Sequence, residues 1–184
     1  MLCPDSQMEA LTQALQDGSG SDIQAVDRLI ADYPEDPRLH FLRGSILAGI
    51  GRSIEALAAL RQAVELAPEF AIARFQLGFF QLTSGEAAAA LSTWGPLALL
   101  PDDHYLRHFV AGLTRLIRDE FEEAERHLRE GIAANSENPP LNRDMELILS
   151  QVNQISAAES PTPENGDASA TSFLLDQFSG RSGR

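Results

Sequence analysis

"PRLHFLRGSILAGIGRSIEALAALRQAVELAPEF", residues 37–70, contains two amphipathic stretches separated by a break at Gly49–Gly51. Gly44 lies in the first stretch, and Ala56 and Ala63 lie in the second. Small residues at such places let two helices approach closely. The glycine does so at a propensity cost of about 1 kcal/mol relative to alanine. The stretch reads as a helical hairpin. One hairpin of this kind cannot bury its apolar side, so it needs others stacked against it.

The others follow in register. Gly44, Gly78 and Gly112 are 34 residues apart, as are Ala56, Ala90 and Ala124, and Phe41, Phe75 and Phe109. Gly51 and Gly85 keep the same spacing, with Asp119 in the third place. The period divides the centre of the chain into copies at 37–70, 71–104 and 105–138. The copies differ in places. His40, Arg74 and His108 occupy one column, and Gly131 stands where the other copies favour alanine. In the second copy Pro101 arrives one residue early, and Gly95-Pro96 interrupts the second helix. Proline inside a helix removes a hydrogen bond and kinks or splits it. Trp94 falls in a helix-packing column and is expected in the core.

Counted from Pro37, Gly44 falls at position 8, Ala56 at 20, Ala63 at 27 and Pro68 at 32. This pattern resembles the tetratricopeptide repeat (TPR) family, over three copies. The resemblance implies an all-α fold, a right-handed superhelical stack of antiparallel helix pairs of the α-solenoid type. It implies binding of proteins or peptides on a concave surface lined by the first helix of each pair. Carried over column by column, that surface would take Phe41 and Ser45 from the first copy. The second gives Ile72, Phe75, Phe79 and Leu82, and the third Leu106, Phe109, Leu113 and Leu116. Leu77, Phe80 and Ala90 would pack inside. The implied groove is apolar, and a continuous apolar patch on a protein surface marks a binding site, here for an apolar peptide or helix of a partner. One TPR class grips a chaperone's C-terminal carboxylate with Lys, Asn and Arg. The matching positions here, Phe41, Ser45, Gln76, Leu106 and Val110, supply no cation, which argues against that function.

Residues 1–36 read as a divergent N-terminal hairpin. Ser6 and Glu9 have capping-box spacing, Met8, Leu11 and Leu15 mark one face, and "DGSGSD" is a turn. Asp22 can cap a second helix with Ile23, Val26, Leu29 and Ile30 inward. Pro139-Pro140 opens a last helix over 139–156, whose single apolar face suits a terminal cap. Residues 157–184 begin small, polar and proline-bearing, the composition of a disordered tail. Within them Phe173, Leu174, Leu175 and Phe178 form an apolar knot, a possible docking segment for the chain's own groove or another protein.

The chain has 184 residues, 43% of them hydrophobic, with a net charge of −13. Such an acidic surface repels phosphate and argues against nucleic acid or an anionic membrane as main partner. The single cysteine, Cys3, cannot form an internal disulfide, the N-terminus lacks a signal-peptide pattern, and no apolar run is long enough to span a bilayer. A cytoplasmic protein is expected.

Chemistry-bearing residues are few. His104 and His108 are four apart with Asp102 and Asp103 nearby, a spacing that permits a metal pair, but no third ligand is visible. A solvated helix start, whose Asp residues cap it and complement its dipole, is the better account of them. Glu122–Arg126 and Glu125–Arg129 have helix-surface ion-pair spacing. Cys3 sits near a terminus expected to fray, without a partnered histidine. No catalytic residue, cofactor or metal is therefore expected. The reading is a non-enzymatic adaptor or scaffold binding another protein through an apolar segment. A chaperone for hydrophobic translocator subunits of a type III secretion kind is the alternative, and a metal-dependent enzyme the remote one.

Overall fold

The structure, a computed structural model, describes residues 1–16 and 22–158. Every regular element among them is helical: α1 (Asp5–Gln16), α2 (Asp22–Asp32), α3 (Pro37–Gly49), α4 (Ser53–Leu66), α5 (Ala71–Thr83), α6 (Ala87–Trp94), α7 (Tyr105–Ile117), α8 (Phe121–Ala134) and α9 (Pro139–Ala158). Helices start at Pro37, Ala71, Tyr105 and Pro139, at the 34-residue interval of the sequence. The expected tail, with Phe173, Leu174, Leu175 and Phe178, lies outside the described residues. No described helix is long and apolar enough to cross a membrane.

The turns explain one column of the sequence. Gly51 and Gly85 have φ of 77° and 85°, and Asp119 has φ of 58°. In each turn the amide after the left-handed residue reaches back five residues. Arg52 N donates to Leu47 O at 2.9 Å, Glu86 N to Gln81 O at 2.8 Å, and Glu120 N to Arg115 O at 3.0 Å. This is the helix-ending geometry in which glycine escapes the Cβ penalty, and aspartate is among the few side chains that tolerate it.

The chain divides into two compact units, Met1–Leu77 and Gly78 onward, with the division inside α5. In the first unit α3 packs against α4 where Gly44 faces Leu60. A Cβ at Gly44 would lie 2.7 Å from Leu60 Cγ. Cys3, Leu11, Val26 and Leu39 form a buried cluster with Met8, Leu15, Leu29, Ile30 and Ile46 packed on it.

Cys3 is therefore not frayed. It is 2% exposed, held by a network around Asp36, which is fully buried. Asp36 Oδ2 accepts from Cys3 N at 2.8 Å and from Arg38 Nη2 at 2.8 Å. Its Oδ1 accepts from Arg38 N at 2.9 Å, capping α3, and from Arg38 Nε at 3.1 Å. Arg38 also donates to Cys3 O at 2.6 Å and to Asp5 at 2.9 Å. Burial would raise the Asp36 carboxyl, but the hydrogen bonds from Arg38 and from the Cys3 amide outweigh it and hold the group below its ordinary range. Burial, and next the Asp36 charge, push the Cys3 thiol up. Ser6 does not cap α1. The helix begins at Asp5, with Pro4 O accepting from Gln7 N at 3.0 Å and Met8 N at 3.1 Å.

In the second unit Trp94 is 1% exposed and lies on Gly78, where a Cβ would come 2.2 Å from the indole Nε1. Gly95-Pro96 splits the helix as its sequence predicts: α6 stops at Trp94 and a 3₁₀ turn covers Gly95–Leu99. Gly112 packs on Leu128, with Ala124 O 3.1 Å from the place of a Cβ. Met145, Ile148, Leu149 and Val152 bury the apolar stripe of α9. The α8–α9 connection is tied by buried Asn135, which donates to Asn138 O and Asn142 Oδ1, both at 2.8 Å, and accepts from Asn138 N at 2.9 Å.

Candidate functional site

The ten residues assigned to a partner-facing surface fall into two groups. Phe41, Ser45, Ile72 and Phe79 are half-buried. Phe41 sits on α3 with its ring 5.3 Å from that of Phe70, which is also half-buried, and Ile72 opens α5. Ser45 Oγ donates to Phe41 O at 3.0 Å, so its hydroxyl is spent on its own helix.

The other six are core. Phe75, Leu82, Leu106, Phe109, Leu113 and Leu116 are between 0% and 6% exposed, which corrects the expectation that they face a partner. The cause is visible in the second unit. Leu106, Phe109, Leu113 and Leu116 form one stripe of α7, and a helix with a single apolar stripe buries it. Gly131 leaves room for this, since a Cβ there would lie 2.4 Å from Phe109 Cδ1. The missing second alanine of the third copy is thus the space the phenylalanine ring fills. Phe79 and Phe80 are half-buried and Leu77 is buried.

His104 and His108 do different work. His104 caps α7: its Nδ1 accepts from Leu106 N at 3.2 Å, and its ring stacks on Tyr105 at 4.9 Å. His108 instead faces α8, where His127 and Glu130 stand. Arg126 pairs with Glu123 at 2.9 Å and Glu130 at 3.1 Å, not with Glu122, whereas Arg129 pairs with Glu125 as its spacing predicts. Burial, and after it the Arg126 charge, hold His127 below the ordinary imidazole range.

Comparison with protein-family models and with curated proteins gives no match. Among solved structures the chain is similar to MamA from Desulfovibrio magneticus RS-1, residues 41 to the end. The TM-score is 0.57 at 13% identity, over 85% of this chain and 97% of that one. It is similar also to the ArsTM double mutant of RS-1 MamA, with a TM-score of 0.58 at 14% identity over 97% and 96% of the two chains. The all-helical architecture, the 34-residue interval of helix starts and this likeness agree on the fold, a TPR-like helical repeat of the α-solenoid class.

Proposed function

We propose that the chain is a non-enzymatic protein-interaction module, an adaptor or scaffold that takes an apolar peptide or helix of another protein. The observation that carries this reading is the half-buried pair Phe41 and Phe70 beside the start of α5, where Ile72 is half-buried too. Aromatic rings that are partly covered in the free chain gain further burial from a partner at little cost in side-chain entropy, and they dominate binding energy where they occur. The fold class supports the reading because stacked helix pairs of this kind commonly bind peptides.

The test is capture of partners from a cell lysate by the immobilised chain, with mass spectrometry of what is retained. Phe41→Glu is expected to keep the helical circular-dichroism signal, because the ring is not fully buried, and to lower capture at least about tenfold. Phe75→Glu is the contrasting variant. Its side chain is 1% exposed, so it buries a carboxylate and loses the fold. Undiminished capture by a well-folded Phe41→Glu overturns the proposal.

A further inference from the structure

His108, His127 and Glu130 lie on two helices that the sequence separates by a turn. His108 comes from α7, and His127 and Glu130, three residues apart, share a face of α8. Gly131 lets the helices meet here, since a Cβ at that position would lie 3.2 Å from His108 Cβ. We propose that these three side chains bind a divalent transition-metal ion of the zinc class.

Geometry supports the assignment first. Zinc holds imidazole nitrogen at about 2.0–2.1 Å and carboxylate oxygen at about 2.0–2.2 Å in a tetrahedral shell, so neighbouring ligand atoms sit roughly 3.3–3.5 Å apart. His108 Nδ1 is 3.3 Å from Glu130 Oε2, and His127 Nδ1 is 3.4 Å from the same oxygen. All three ligand atoms lie within 4.8 Å of one another. Both N···O separations exceed the usual hydrogen-bond range while matching two edges of a metal tetrahedron. The remaining edge closes by rotation of the imidazoles, whose centroids are 6.3 Å apart.

Unsatisfied chemistry supports it second. His127 Nδ1 is buried and has no hydrogen-bond partner, although the Glu130 carboxylate is near enough for an ion-pair contact. Buried polar atoms are nearly always satisfied, so a ring nitrogen left without a partner beside two further metal-ligating groups marks a place for an ion, which that nitrogen can hold once its proton has moved to the other side of the ring. Two imidazoles and one carboxylate are the mixed N/O donor set that zinc and its neighbours in the transition series take, unlike the all-oxygen shells of calcium and magnesium. The side chains of His108, His127 and Glu130 are 21%, 20% and 40% exposed, so an ion enters from solvent and keeps a position for water.

Arg126 opposes the ion. Its Nη2 lies 3.2 Å from His127 Nε2, and since guanidinium only donates, that nitrogen accepts and the imidazole proton rests on Nδ1. Metal binding therefore requires the other tautomer: the proton leaves Nδ1 and one is taken up on Nε2, so the ligand stays a neutral imidazole. It also turns Arg126 away toward Glu123, with which Arg126 already pairs at 2.9 Å.

The experiment uses the full chain, stripped with a chelator. Zn²⁺ is titrated in competition with a chromophoric chelator, and Co²⁺ is followed by its visible d–d bands. One equivalent is expected to bind, with a tetrahedral Co²⁺ spectrum. His127→Ala and Glu130→Gln are each expected to weaken binding at least about tenfold. Arg126→Ala is expected to tighten it by removing the opposing cation, and His104→Ala to leave it unchanged. Circular dichroism checks each fold. If His127→Ala does not fold, Glu130→Gln, at a part-exposed carboxylate, carries the test. Absence of binding overturns the proposal. So does uptake that is equally tight in Glu130→Gln and wild type, which would mean adventitious binding to the acidic surface.

Discussion

Replacing Asp36 with alanine tests the network that holds the N-terminal segment. Three losses follow from its geometry. The cap on α3, Asp36 Oδ1 to Arg38 N at 2.9 Å, is worth about 1 kcal/mol. The Cys3 amide, 2.8 Å from Oδ2 in a buried position, is left without its acceptor at about 1–3 kcal/mol. Arg38 loses its carboxylate partner but keeps Asp5 and Cys3 O, and its side chain is 33% exposed, so water replaces part of what is lost. The cost should be about 2–4 kcal/mol, short of the full penalty for an orphaned buried charge. Urea denaturation followed by circular dichroism at neutral pH reads it directly. Cys3, buried at 2% exposure, reads it locally. If the segment undocks about 2 kcal/mol more easily, labelling of the thiol accelerates about 30-fold. The pH dependence has a definite sign. The folded carboxyl is held below its ordinary value, so its stabilisation is fully present above the unfolded carboxylate range, about pH 4. It fades as pH falls through the lower folded value. The gap between wild type and Asp36→Ala should therefore close in acid. A loss under about 0.5 kcal/mol with unchanged labelling would refute the reasoning.

Three further outcomes are expected. Gly78→Ala should destabilise by about 1–3 kcal/mol, because its Cβ would enter the indole of Trp94. Gly49→Ala, in helix α3 with open space around it, should stabilise by about 0.5–1 kcal/mol; thermal melts that rank the two the other way would contradict the packing described. Asn135→Ala, which removes the side-chain bonds tying α8 to α9, should cost about 2 kcal/mol in urea denaturation, and a neutral result would mean that water serves those backbone groups equally well.

The hairpins were readable because their signals are local and periodic. Gly51, Gly85 and Asp119 need a left-handed backbone, Gly44 and Gly112 need close helix contact, and Gly95-Pro96 breaks a helix wherever it falls. The partner-facing surface was less readable. An apolar stripe has the same spacing whether it faces a core or a ligand, and Phe109 could not be placed until Gly131 was known to sit beneath it. Cys3 escaped because its acceptor is 33 residues away and the link is a single carboxylate. The pairing of His108 with His127 and Glu130 depends on the register of α7 against α8. The sequence does show His127 and Glu130 one helical turn apart, which with a histidine in the preceding helix is the signal to seek.

Trp94, held against Gly78, is the only tryptophan in the chain, and Cys3 is the only thiol. Each compact unit thus carries its own native reporter, with no labelling chemistry to introduce and no substitution to make. Indole emission follows melting from Gly78 onward, while thiol protection follows the unit ending at Leu77. Coincident midpoints would show a single cooperative transition, and split midpoints would show halves that can open one at a time.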